Sequence, residues 1–495
     1  MGADPRRPLI CGVAQATWHE AAPDPIAMCA QVARAAAADS GAQDAVLEGI
    51  DAVGVVDIAS RRWADPAALV ADELGIEPKL TLRTELGGDG PVRLAAELGR
   101  RVQDGELECA LLCGAEALAT AARAMAAGEE PAGWPPLDEG ASPDVVVGDA
   151  RLPHTDAEFA ANMIAPVVIY PLFEYGLWNE QGGTIEEHRG RLGRLWERFA
   201  SVARANPLSW APDAPGPEEI ATPSPANRLV SLPYTKLLNS NITTDQAAAL
   251  IICSQAFADR AGIATGRRVY PLAFGHATDH WFVTSRERID RSAAAGIASR
   301  GTLEAAGTSI AEVEHLDIYS CFPSAVQMAC HELGIDPWTD PRELTVTGGL
   351  TFFGGPGNNY VTHSLASMVE RLRENPGQAG LCTAVGWYMT KHGAAVLSSG
   401  EPDGPLAFFD GAQEVSRLPE REMGVGREGP ASLEAASIVY DRGGEPTVAT
   451  VTVIFDDGAR GVGKSTDPEL MALLARQPAT GTAVRLTADG LVEPA

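Results

Sequence analysis

Over the first 117 residues, short continuous apolar runs alternate with Ala-rich stretches in which apolar positions recur at helical spacing. The runs at 9–14 and 52–58 predict strands, and 109–113 predicts a buried strand that ends at Gly114. Between them, 25–40 and 91–103 predict helices. Strand and helix in alternation predict a layered α/β core. Residues 118–230 break the pattern with Pro/Gly punctuation, one clear helix around 184–205, and a loop-rich stretch after it. The buried-strand pattern returns at Gln246 and continues to about Ser399. The segment EPDGP then predicts a linker, and the last ninety or so residues show strand-length alternation at 436–440, 448–455 and 484–486 between Gly/Asp turns.

An internal repeat organises these elements. Gly41–Asp51 aligns with Gly307–Asp317, Ala14–Thr17 with Gly275–Thr278, and Gly87–Gly90 with Gly354–Gly357. The three matches keep one order and nearly one offset, which predicts a duplicated α/β unit. The resulting division is 1–117 for a first half, 118–230 for an insertion, 231–399 for a second half and 400–495 for a β-rich tail.

Charge and cysteine content narrow the function. Against 38 Lys+Arg stand 66 Asp+Glu, a net charge of −28, and such a field repels phosphate backbones, which argues against nucleic-acid binding. Only four of the basic residues are lysines (Lys79, Lys236, Lys391, Lys464), a bias of high-GC coding more than of function. Eight scattered cysteines without a C-x-x-C pair predict reduced, buried thiols and no metal site. No apolar run approaches membrane-spanning length, and the N-terminus lacks a signal-peptide core, so a cytoplasmic protein is expected.

The duplicated half, the insertion after it and the Gly-rich turns leading into helices resemble the thiolase superfamily over roughly residues 8–398. The motifs are ELECALLCGAEAL (106–118) with its G-x-E strand end, DIYSCF (317–322), GGLTFFGGPGNN (348–359) and LCTAVGWYMTKHG (381–393). With the tail added, the likeness is to sterol-carrier-type, thiolase-like proteins of actinobacteria, labelled acetyl-CoA acetyltransferases, with an OB-like C-terminal domain. The resemblance implies two similar βαβαβαββ halves in αβαβα layers, and a coenzyme A thioester as ligand or substrate with no other cofactor.

It also implies what is missing. Thiolases take up the acyl group on a cysteine thiolate at a helix N-terminus, and that position maps to Gly88. The loop histidine maps to Gly355, and the acid/base cysteine falls near Val385, beside bulky Trp387 and Tyr388, with Cys382 three residues away. Ordinary thiolase activity is therefore not expected. Tyr319 and Cys321 occupy the His and Cys positions of the third motif. Thiolase-fold aldolases beside an OB-type partner use a tyrosine there, which implies retro-aldol-like chemistry. A phenol in that place donates a hydrogen bond, or serves as general acid/base if its pKa is depressed. His392 is a further candidate. The amides of Gly354, Gly355, Gly357 and Asn358 are candidates for an oxyanion site, whereas Asp89 in the first turn reads as a helix cap. Arg191, Arg194 and Arg198 share a helix face and are candidates for a CoA phosphate.

GARGVGKS (458–465) fits the phosphate-loop pattern, but only thirty residues follow it, too few to complete a nucleotide fold. It reads as a β-turn followed by a helix capped at Thr466 or Asp467. Three functions stay open: an acyl-CoA-binding protein doing non-covalent carbon–carbon chemistry or none, in lipid metabolism; an acyltransferase with a relocated cysteine; and a non-catalytic scaffold whose tail recruits a partner enzyme. Homodimer and monomer both stay open.

Overall fold

The predicted apolar runs assemble into two core sheets and a third sheet in the tail in the computed structural model, which describes residues 4–137 and 142–495; the first three residues of the expected N-terminal half lie outside that range. In chain order the strands are β1 Pro8–Thr17, β2 Ala52–Val55, β3 Leu80–Thr84, β4 Cys109–Ala117, β5 Val145–Val147, β6 Leu229–Ser231, β7 Tyr234–Thr235, β8 Asp245–Ser254 and β9 Tyr270–Thr278. Then follow β10 His315–Asp317, β11 Ala379–Gly386, β12 Lys391–Ser398 and β13 Ala407–Asp410, and in the tail β14 Gly429–Tyr440, β15 Pro446–Ile454, β16 Arg460–Ser465, β17 Ala483–Leu486 and β18 Val492–Pro494. One core sheet runs β1-β8-β4-β2-β3-β5 and the other β10-β11-β12-β9-β13.

The pairing makes the duplication explicit. In the first sheet β1–β8 and β8–β4 are antiparallel and β4–β2 parallel. In the second, β9–β12 and β12–β11 are antiparallel and β11–β10 parallel. Each predicted repeat match falls on an equivalent place. Thr17 and Thr278 end β1 and β9, and the two glycine turns precede the helices Gly90–Asp104 and Tyr360–Glu374. Those two helices touch strands of both sheets, while Pro25–Asp39 covers the outer face of one sheet and Ala293–Ala305 that of the other. The result is the expected five-layer αβαβα stack. Strands buried on both faces explain why β4 and β8 read as unbroken apolar runs.

The insertion contributes the helices Pro166–Gln181 and Ile185–Ala205. Thr184 starts the second with a capping box to Glu187. The first is apolar almost all round because it has neighbours on two sides: the Pro323–Leu333 helix of the core and β14 of the tail. β5, also from the insertion, pairs with β3 and takes up that sheet edge.

In the tail, β14, β15 and β16 form an antiparallel meander, the helix Pro468–Arg476 follows, and β17–β18 is a hairpin whose first strand pairs with β14. A parallel bridge from Lys464 to Leu491 draws β16 toward β18. The expectation of a turn over the whole of GARGVGKS is corrected here: only the residues around Gly458 turn, and Arg460–Ser465 is strand β16. The segment pairs with β15 along its length, so no phosphate-cradling loop exists there. Asp467 caps the following helix through the Leu470 amide. Beyond the expected linker, β13 still pairs with β9 of the core, while β6 pairs with β14 of the tail.

Candidate active site

The chain turns sharply through Gly87 and Gly88 to enter the Gly90–Asp104 helix, which places this turn between the two sheets. Beside it lies a cavity of about 170 Å³ lined by Gly88, Tyr170, Tyr319, Cys321, Val385 and Trp387, with Gly355 and Asn358 on one side. Tyr319 and Cys321 reach it from the segment after β10, held where the Tyr319 amide donates to Thr383 Oγ1 at 2.9 Å. The Tyr319 ring packs edge-on against Tyr360, centroids 5.6 Å apart. A side chain at position 88 has no room. Its Cβ would collide with Tyr319 Oη and lie 2.5 Å from the Val385 carbonyl oxygen. Position 355 differs: a Cβ there would meet its neighbours at 3.4 Å, an ordinary contact.

Burial sets the protonation states. Burial pushes the Tyr319 phenol well above its usual value, helped by Cys321 and by the Asp89 carboxylate. The depressed pKa that would make it a base is absent, and it is a neutral hydrogen-bond donor. Burial likewise pushes the Cys321 thiol up to about 12, against a facing Tyr170 hydroxyl that lowers it. The Cys382 thiol is also raised, by burial and then Asp317, and its sulfur points to the Ser364 carbonyl at 3.9 Å. Cys382 does not line the cavity. All eight cysteines are free and buried.

Behind the glycine turn sits a buried charge cluster. Asp89 occupies the helix-cap position without capping; its carboxylate pairs instead with Arg93 Nε at 2.6 Å and Lys391 Nζ at 3.6 Å. Lys391 also donates to the Leu86 carbonyl at 2.5 Å.

The second glycine turn corrects another expectation. The Gly355 amide donates to the Asn241 carbonyl at 2.9 Å and the Gly357 amide to the Gly355 carbonyl at 2.7 Å, so neither is turned to a ligand. Gly354 and Gly357, both at positive φ, press against Gln246 and Glu116, and a Cβ at either would collide. Asn358 accepts from the Gly87 amide at 3.0 Å and donates to the Asp57 carbonyl at 3.0 Å. The two repeated turns thus clasp each other, with Gly355 and Asn358 on the cavity wall, and the Gly355 and Gly357 amides are spent within the chain and not on an oxyanion.

The remaining wall is the β11–β12 turn. Trp387 and Met389 both hold left-handed φ, +57° and +55°, which is costly for bulky residues. The turn is pinned accordingly. Tyr170 Oη donates to the Trp387 carbonyl at 2.9 Å, Arg286 donates to the Tyr388 carbonyl at 2.7 Å, and Tyr388 Oη reaches the Ile164 carbonyl at 2.5 Å. Tyr170 also stacks on Phe322, centroids 4.4 Å apart. Tyr170 carries no sequence signal, since one tyrosine in an apolar helix reads as core.

His392 and the arginines are not brought to this cavity. His392 is buried on β12, where its Nε2 faces Ser292 Oγ at 3.0 Å and the Met389 carbonyl at 2.9 Å. Burial pulls its pKa down to about 4, so it is a neutral structural group. Arg191 donates to the Gly182 carbonyl at 2.7 Å, and Arg198 ties down the carbonyls of Pro337, Asp340 and Arg342. The helix face read as phosphate-binding is thus engaged within the chain at two of its three arginines. Arg194 is exposed on a separate groove of about 400 Å³, with Arg189, Glu186 and Glu218. Among the described residues no group of His, Cys, Asp or Glu is placed to hold a metal ion.

Comparison with known proteins agrees with this architecture. Residues 411–491 match the family model for the thiolase-like protein type 1 additional C-terminal domain. A crystal structure of a monomeric SCP2-thiolase-like protein type 1 from Mycobacterium smegmatis superposes at a TM-score of 0.85 and 27% identity, covering 100% of both chains. An acetyl-CoA acetyltransferase from Syntrophomonas wolfei (TM-score 0.58, 14% identity) covers 80% of this chain and 100% of its own. The Ltp2-ChsH2(DUF35) aldolase (TM-score 0.59, 18% identity) covers 80% of this chain and 99% of its own; both likenesses are of fold. No curated protein sequence matches the chain significantly.

Proposed function

From the premise that the chain is thiolase-like throughout its core and carries the type 1 additional C-terminal domain, we propose that it binds an acyl-CoA-type thioester without forming a cysteine acyl-enzyme. The observation that carries this is Tyr319 Oη standing where a side chain at position 88 would be. In the proposal the acyl carbonyl enters the Tyr319–Trp387 cavity, and the neutral phenol donates a hydrogen bond to it. A donor at that oxygen stabilises the charge developing there in retro-aldol-like carbon–carbon cleavage. A relocated-cysteine mechanism is not supported by Cys321, whose thiol is held protonated near neutral pH by a pKa of about 12.

The tail is proposed to be an OB-type barrel: the meander, the helix and then a hairpin, with first strand on fourth and third beside fifth, is that order. We propose that it starts after β13, near residue 411 and not at the linker near 400, and that the insertion spans about 118–230. Because β5 occupies the β3 edge, a monomer is the proposed state. No helix among the described residues is long and apolar enough to cross a membrane, and a cytoplasmic location is part of the same proposal.

Thermal unfolding with CoA and a medium-chain acyl-CoA tests the reading. A binder gains stability as RT ln(1 + [L]/Kd), about 2.7 kcal/mol at a hundredfold excess over Kd. The expected result is a rise in Tm with acyl-CoA that is diminished in Tyr319→Phe. An unchanged Tm at saturating concentrations overturns it and leaves the scaffold reading.

A further inference from the structure

The tail is joined to the cavity wall by an unbroken chain of buried hydrogen bonds. Arg460 on β16 is 1% exposed. It forms a two-pronged pair with Glu434 of β14, at 2.7 and 2.6 Å. Its remaining protons go across the interface to core carbonyls: Thr284 and Glu287, both at 3.2 Å, and Arg286. Arg286, 3% exposed, then sends one guanidinium nitrogen to the Tyr388 carbonyl at 2.7 Å and another to Thr390 Oγ1 at 2.9 Å. Those acceptors lie in the turn that holds Trp387 and Met389 at left-handed φ. A second line converges on the same turn. β14 packs along the Pro166–Gln181 helix, and Tyr175 of that helix accepts from the tail's Ala479 amide at 2.9 Å. Five residues earlier on the same helix, Tyr170 donates to the Trp387 carbonyl.

Backbone conformations of this kind persist only where their surroundings over-determine them. The turn's own strands supply part of that constraint, through the Thr390 amide on the Gly386 carbonyl and His392 on the Met389 carbonyl; Arg286 and Tyr170 supply the rest, Arg286 held directly from the tail and Tyr170 through the helix it shares with Tyr175. We infer that the additional C-terminal domain acts in cis as the brace of the cavity, and that Arg460 is a positioning residue which, through Arg286, fixes the Trp387 wall. Arg suits the role because one planar fork satisfies a carboxylate and still presents protons to three carbonyls, which an ammonium cannot do in one geometry. The inference concerns the wall and holds whatever ligand the cavity takes.

Fluorine NMR of the full chain labelled with 5-fluorotryptophan tests it, with the Trp387 resonance assigned by its loss in Trp387→Phe. Arg460→Met is expected to displace or split the Trp387 signal beyond its linewidth, with Arg460→Lys restoring it in part. Arg427→Met, which removes the exposed Arg427–Asp457 pair and the Arg427 stacking on Phe455 but no contact to the core carbonyls, is expected to leave it in place. Combining Arg460→Met with Arg286→Met should move the signal no further than Arg286→Met alone, as expected of two links in series. If Arg460→Met does not fold, Glu434→Gln is read the same way, since it keeps the shape and removes the charge anchoring Arg460. A folded Arg460 or Glu434 variant with an unmoved Trp387 resonance overturns the inference.

Discussion

Gly88 shows how a single missing side chain can be read two ways. As a letter in the sequence it marks a lost nucleophile; in the fold it marks space already taken by Tyr319 Oη and the Val385 carbonyl. Replacing the nucleophile should therefore fail. Gly88→Cys is expected to destabilise the chain by about 1–3 kcal/mol through overpacking and to give no thiolysis of acetoacetyl-CoA by loss of its absorbance. Adding Tyr319→Phe removes the hydroxyl but not the backbone oxygen, so denaturant unfolding should recover part of the loss and not all of it. A gain of thiolase activity by the single variant would show that the wall yields, contrary to the packing described. At this scale the sequence was most informative about absences, because motif positions can be counted. It was least informative about which groups line and brace the cavity: Trp387 stood out as bulky in a small-residue motif, while Tyr170, which lines it, and Arg286, which holds the turn behind it, come from segments with no pattern of their own.

Among elements, the strands and helices of the two halves were legible because burial on both faces writes continuous apolar runs and the repeat doubles each signal. The contacts between turns were not, since they join residues some 270 positions apart in sequence. Glu116 illustrates one. At the end of β4 its carboxylate accepts from the Ala59 and Ser60 amides at 2.7 and 2.8 Å and abuts Gly357 of the second-half turn. Burial, opposed by those amides, raises its pKa from 4.5 to about 7. An acid with a raised folded pKa binds its proton better folded than unfolded. Its contribution is thus full below about pH 4.5 and is lost as pH rises through about 7, up to about 3 kcal/mol. Glu116→Gln does not titrate, so chemical unfolding at about pH 5 and about pH 8 should show a smaller loss of stability in the variant than in the parent chain. Equal losses would mean that the Glu116 pKa is not raised.

For the whole molecule, the net charge of −28 and the proposed polyanionic ligand pull against each other, and the balance can be measured. Fields of the whole chain act over distances longer than a Debye length only at low salt, because screening shortens that length from about 30 Å at 0.01 M to about 8 Å at 0.15 M. A ligand carrying several phosphate charges is repelled on approach, so salt should speed its association, the reverse of the usual steering effect. Two of the three arginines first read as phosphate contacts are bound within the chain. What cationic surface remains near that helix, Arg189 and Arg194, is interleaved with Glu186 and Glu218. No strong local attraction is therefore available there to reverse the long-range repulsion. Stopped-flow association of a medium-chain acyl-CoA should accelerate by about two- to tenfold between about 0.01 and 0.15 M salt. A rate that instead falls with salt would place a dominant cationic contact on the ligand's path, and Arg194→Ala would then identify whether that groove supplies it.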